Sequence, residues 1–192
     1  MDRRDFCKLS MGTAAAGAGL LGAAKLAAKE EPAPARPGNF DPDTMAHAAR
    51  QCFLPGKRTC GEAILAAGAK ALGIESELFP DLALGLGGGI GFQGDVCGTV
   101  TGSAMVISLA AARTQKDYPA RMKAAMKHAG KLYNAFKAKY GCVECRKLSG
   151  LDLTTPAGRA ALKAGAKAKT CGPIVEAAAR LLAAELAEMH KV

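Results

Sequence analysis

Tryptophan is missing from the 192 residues, and phenylalanine and tyrosine bring the aromatic share to only 5%. That removes the stacking platforms on which single-stranded nucleic acid is held, and no groove-reading motif replaces them. Histidine occurs three times, with no Ser–His arrangement and no general acid/base pair around it. No apolar run reaches the roughly 20 residues of a membrane span. Nor does any stretch alternate as a strand should, since β-branched runs are almost absent. Nucleic-acid binding, a spanning segment in the mature chain and a sheet-based fold thus fall away. No catalytic constellation stands out beyond the cysteines.

What is present begins with a distinctive N-terminus. Arg3 and Arg4 stand together, Phe6 follows, Lys8 closes the polar part, and residues 9–24 form an uncharged run rich in Ala and Gly. A charged start, a weakly apolar middle and small residues suited to cleavage make a targeting segment. It resembles a twin-arginine export signal with Cys7 where Leu is usual, which implies a periplasmic destination. The expected organisation is a signal peptide over 1–28, cleaved after Ala24 or Ala28, a Pro-rich linker over 29–40, and one domain over 41–192. The formal net charge is +9, and 22 basic against 15 acidic residues remain beyond residue 28. Such a balance suits acidic partners or an anionic surface, although unpatterned surface charge is the simpler account.

Helical signals dominate the rest. A first helix is expected over 42–54, closed by Pro55-Gly56. Thr59-Cys60-Gly61-Glu62 fits a capping box that opens a helix running to about Leu72. Asp95 is a candidate cap for a helix from about Cys97 to Ala112. A long helix over 118–140 repeats Met122, Met126, Ala129, Tyr133, Phe136 and Tyr140 at spacings of three and four, which reads as its core stripe. Arg121, Lys123, Lys127, Lys131, Lys137 and Lys139 read as its solvated face, with His128 exposed among them. Thr170-Cys171-Gly172-Pro173 opens a last helix to about Met189, with proline tolerated in the first turn. The expectation is an all-α single domain of five to seven helices carrying one Gly-rich loop.

Cys60, Cys97 and Cys171 therefore fall at helix starts, where amides and the dipole favour a thiolate. The Gly-rich run GLGGGIGFQGDVCGTVTG, residues 85–102, contains GxGxxG at Gly89, Gly91 and Gly94. No strand precedes it and helix follows, so a dinucleotide fingerprint is not the reading. Glycines instead let backbone approach whatever Cys97 holds; Gly87, Gly88, Gly89, Gly91, Gly94 and Gly98 are the candidates for shaping such a site. Cys142 and Cys145 form a CxxC followed by Arg146, not His, so covalent haem is not expected. Beyond Cys7, six cysteines remain, and three disulfides in any of 15 connectivities are also compatible with them.

GGGIGFQGDVCGTVTG, Cys60, Cys145 in CRKLSG and Cys171 in CGPIVEAAARLL together resemble the redox-active proteins named for a C_GCAxxG_C_C pattern. The motif here is Cys97-Gly98-Thr99-Val100-Thr101-Gly102, with Thr99 where Ala is usual. The resemblance spans roughly residues 45–188 and places the four characteristic cysteines at Cys60, Cys97, Cys145 and Cys171. Cys52 and Cys142 are additional thiols. A related framework occurs in split-Soret cytochromes, whose CxxCH is missing here. Four thiolates are the usual complement of an iron–sulfur cluster, so the expectation is an exported iron–sulfur redox protein serving an unknown redox partner. The alternatives are a cluster-free thiol–disulfide oxidoreductase using Cys142 and Cys145, and a helical domain held by disulfides. Association into a homodimer stays open.

Overall fold

The computed structural model describes residue 38 and residues 40–191. The expected signal peptide and most of the linker lie outside them. Among the described residues the chain is all-α, with seven helices and no strand. Helix α1, Pro42–Phe53, starts where Asp41 accepts a hydrogen bond from the Thr44 amide at 2.7 Å. Helix α2, Cys60–Ala71, has the full capping box: the Glu62 amide donates to Thr59 Oγ1, and the Thr59 amide donates to Glu62 Oε2. Two orphan amides are satisfied at the turn that carries Cys60.

A 3₁₀ turn, Asp81–Leu86, leads into the Gly-rich loop, and helix α3, Gly98–Thr114, follows it. Helix α4, Tyr118–Tyr140, is capped by Asp117 and stopped by left-handed Gly141. Two short helices, α5 (Cys145–Ser149) and α6 (Pro156–Ala161), precede a widened stretch, Leu162–Cys171, that is kinked at Gly165. It runs without a break into α7, Gly172–Met189. No helix of the described residues is long and apolar enough to cross a membrane.

Helix α7 is the central element, packing on α1, α2, α3 and α4. Its Val175, Ala178, Ala179, Leu182, Ala183, Leu186 and Met189 are buried at helical spacing. Leu182 and Leu186 each stabilise the fold by about 1.5–3 kcal/mol through burial. Small residues let the helices come close. A Cβ added at Gly68 of α2 would lie 2.5 Å from Val106 Cγ1 of α3.

Two expectations need correction. Helix α3 starts at Gly98 with Cys97 at its N-cap position, as expected, but Asp95 caps nothing in it: its Oδ1 accepts from the Val96 amide. The Cys97 amide donates to Val143 O at 2.8 Å, which commits it to a neighbouring segment. On α4 the expected stripe is rotated. Ala125, His128, Leu132 and Phe136 are buried, whereas Met122, Met126 and Tyr133 are exposed at 49%, 68% and 36%. Leu132 and Phe136 set the core face, and His128 shares it because Glu185 of α7 meets its ring at 2.7 Å.

Candidate functional site

Three local devices carry the cysteines to one place. The first is the crossing of α2 and α3 at glycines. A Cβ at Gly98 would lie 2.6 Å from Cys60 Sγ and 2.8 Å from Leu86 O, and one at Gly102 would lie 2.8 Å from Gly61 O. Only glycine permits that approach, and it brings Cys60 and Cys97 together on the wall of one cavity. The CGxxxG spacing is thus a helix-contact device as well as a cysteine motif.

The second device is a single antiparallel bridge between Val96 and Glu144. Around it the Cys97 amide donates to Val143 O, Cys145 N donates to Asp95 O at 2.7 Å, and Arg146 N donates to Gly94 O at 3.0 Å. Cys145, at the start of α5, is thereby set beside the α3 start. Gly89 makes the fit: its φ is +71°, and an added Cβ would lie 2.5 Å from Asp95 O and 2.8 Å from Cys145 Cβ. The third device is the continuous turn of chain from Leu162 into α7, which presents Cys171 from the far side of the sequence.

The result is a cavity of about 280 Å³ walled by Cys60, Cys97, Cys145 and Cys171. Apolar side chains, among them Phe53, Leu148, Leu153, Leu162, Ile174 and Val175, complete it. All six described cysteines are free thiols. Cys52 and Cys142 do not line the cavity. Of the candidate glycines, Gly88 lines it, Gly87 abuts Thr59, Gly89 abuts Cys145, Gly94 abuts Arg146 and Gly98 abuts Cys60, while Gly91 faces open space.

The thiols differ in their electrostatics. Cys60 is lowered to about 7 by the hydrogen bond from Cys97, against burial, with help from the Gly88, Gly61 and Cys60 amides. Cys97 is pushed well up by the same bond and by burial. Burial, then the nearby Cys60, pushes Cys145 up to about 11 and Cys171 up to about 12. The bond from Cys97, with the helix-start amides only assisting, therefore favours the thiolate at Cys60 alone among the three. At Cys97 the Thr99 hydroxyl and amide pull the thiol down but are outweighed by the Cys60 bond and burial, and Cys171 continues a preceding helical stretch instead of opening one.

The Gly-rich loop spends most of its amides on itself, as in Gly91 N to Gly85 O and Gly94 N to Gly88 O. Gly88 is the exception: its amide helps to lower the Cys60 thiol. Thr99 is a site residue that sequence reasoning treated only as a small replacement for Ala. It is fully buried and its Oγ1 lies 3.2 Å from Cys97 Sγ. The signal was there, since a hydroxyl two residues past a helix-capping cysteine can reach its sulfur.

A different group of polar side chains lies between α4 and α7. The donor atoms of His128, Glu185 and Glu188 lie within 4.8 Å of one another, and among the described residues no three cysteine thiols are that close. Lys131 holds Glu188 at 2.6 Å. These side chains already satisfy one another and read as an ionic clamp between two helices.

The family model described as "Putative redox-active protein (C_GCAxxG_C_C)" matches residues 58–185. No curated protein and no solved structure matches the chain.

Proposed function

This chain belongs to the C_GCAxxG_C_C family of redox-active cysteine proteins, and on that premise we propose that it holds an iron–sulfur cluster through Cys60, Cys97, Cys145 and Cys171. The observation that carries the reading is the single apolar cavity walled by four free thiols drawn from four separate parts of the chain. Thiolates on a single tetrahedral metal at about 2.3 Å stand only about 3.8 Å apart, and no three of these thiols fall within 4.8 Å of one another, so they do not form a one-ion site as they stand. Thiolate donors are the set that iron–sulfur clusters take. When bound, the cluster would supply one-electron transfer.

The chain's own residues would do the rest. Apolar walls exclude water. With the cysteines as thiolates, the Thr99 hydroxyl 3.2 Å from Cys97 Sγ and the Gly88 amide would donate to sulfur, and such bonds tune a cluster's potential. Export by the twin-arginine route, as Arg3 and Arg4 suggest, suits a protein that acquires its cofactor in the cytoplasm and crosses folded.

The test is anaerobic purification with a visible spectrum and with iron and sulfide assays. Broad charge-transfer absorption with iron and sulfide in matched amounts is expected, and replacing any of the four cysteines by Ser should abolish or sharply reduce it, while Cys52→Ser should not. A colourless, iron-free protein overturns the reading. In that case one observation favours a thiol–disulfide exchanger: the Cys60–Cys97 pair has a donor thiol against a thiol lowered to about 7. Oxidation would join the two sulfurs with loss of two protons and two electrons to an acceptor disulfide. That pair fits better than Cys142 and Cys145, because Cys142 stands outside the cavity.

A further inference from the structure

Resting on this redox reading, we propose that the mouth of the cysteine cavity is the docking face for an acidic electron-transfer protein. The charges at the cavity carry the first part of the argument. Lys57, Arg58, Lys163 and Lys167 line it, and no acidic residue does. Arg58 is spent on Glu62 and Asp81. Lys167 is held in place, its Nζ donating to Arg58 O at 3.0 Å and lying 4.6 Å from the centre of the Phe53 ring. Lys57 and Lys163 are exposed, and among the described residues neither has an ion-pair partner. An acidic surface is the partner that such a rim attracts and orients.

The second part is an aromatic at the same mouth. Phe92 lines the cavity, yet it is 42% exposed and has a left-handed φ of +68°. Lys57 and Ile90 are the other described non-glycine residues with positive φ, and Ile90 is 44% exposed. Strain of this kind persists where its surroundings hold it, and it gathers at functional sites. The Phe92 ring presses on Gly88, where an added Cβ would come within 2.4 Å of Phe92 Cδ1. Gly88 lines the cavity together with Cys60, and its amide helps to lower that thiol. An exposed ring thus packs on backbone that walls the cavity, a short route from surface to redox site. A small apolar centre within a charged rim also matches the limited, transient interfaces through which electron carriers meet.

The competing surface is α4, whose exposed Tyr118, Met122 and Met126 lie among Lys123 and Lys127. The experiment sets the two against each other. The isotopically labelled protein, as purified, is titrated at low salt with flavodoxin, a small acidic one-electron carrier, and amide shifts are mapped. Shifts confined to about residues 57–60, 88–93 and 162–168, lost at high salt, are expected. Lys57→Gln with Lys163→Gln should weaken binding about tenfold, from two charge contacts of order 0.7 kcal/mol each. Lys123→Gln with Lys127→Gln, an equal change in net charge, should leave it within about twofold. Phe92→Ser should weaken binding without altering its salt dependence. Shifts centred on α4, shifts spread over every basic surface, equal loss in both double variants, or no binding at millimolar protein would each overturn the docking face. Iron and sulfide assays on the same sample judge the cluster separately, since the binding map is read whatever the cavity holds.

Discussion

At the scale of single residues, Thr99 and Cys60 give the site its asymmetry. Thr99→Val keeps the volume and removes the hydroxyl 3.2 Å from Cys97 Sγ. A hydrogen bond to sulfur favours the more negative, reduced form of a cluster, so its loss should lower the reduction potential. At about 1 kcal/mol for one bond, that is roughly 40 mV for a one-electron couple, measured by redox titration of the loaded protein. Cys60 makes a second prediction, in the metal-free chain. Its thiol is lowered to about 7, whereas Cys145 and Cys171 are pushed up to about 11 and about 12. Thiolate, not thiol, reacts with iodoacetamide. Alkylation should therefore centre on Cys60, rise as pH passes about 7 and level off above it, as peptide mass spectrometry can follow. Preferential labelling of Cys145 would contradict the electrostatics described above. The ranking of the thiols was not legible from spacing, because a helix start predicts a favoured thiolate at Cys97 and Cys171 as readily as at Cys60.

At the scale of elements, the contact between α2 and α3 does most to build the site. Gly98→Ala would drive a Cβ to 2.6 Å from Cys60 Sγ and 2.8 Å from a backbone oxygen that cannot rotate away. The α3 start must shift, at a cost of about 1–3 kcal/mol, and the Cys60–Cys97 pair should open with it. Gly130→Ala on α4 is the contrast. Its added Cβ meets nothing within 4 Å and the position is helical and exposed, so stability should rise by about 0.4–1 kcal/mol. Chemical denaturation of the two variants reads both signs. Helix α4 also shows where periodicity fails. Met122, Met126 and Tyr133 repeat as a core stripe would, yet burial of Leu132 and Phe136 against the neighbouring helices turns that stripe outward. An Ala-rich helix offers two faces of similar apolarity, and only its packing partners choose between them.

At the scale of the whole molecule, destination and charge remain sequence-borne. If the Arg3-Arg4 pair directs export, Lys at both positions should leave the protein in the cytoplasm, and cell fractionation with a periplasmic marker checks it; unchanged export would make the pair incidental. The all-α class, the bounds of α1 and α2, the capping box at Thr59 and Glu62, and the last helix to Met189 follow from residues near one another in the chain. Capping, proline placement and helical spacing are local interactions, and their energies act before distant segments meet. The sequence by itself also marked the four cysteines through a motif resemblance. What only the tertiary structure decided is that Cys60, Cys97, Cys145 and Cys171 wall one cavity while Cys52 and Cys142 stand outside it. It likewise decided that His128 is buried on Glu185, and that Lys57 and Phe92 flank the opening. These outcomes depend on which helix faces pack together and on backbone bridges such as Cys145 N to Asp95 O. They join residues far apart in the chain, and side-chain burial, unlike capping, has no signature in neighbouring positions.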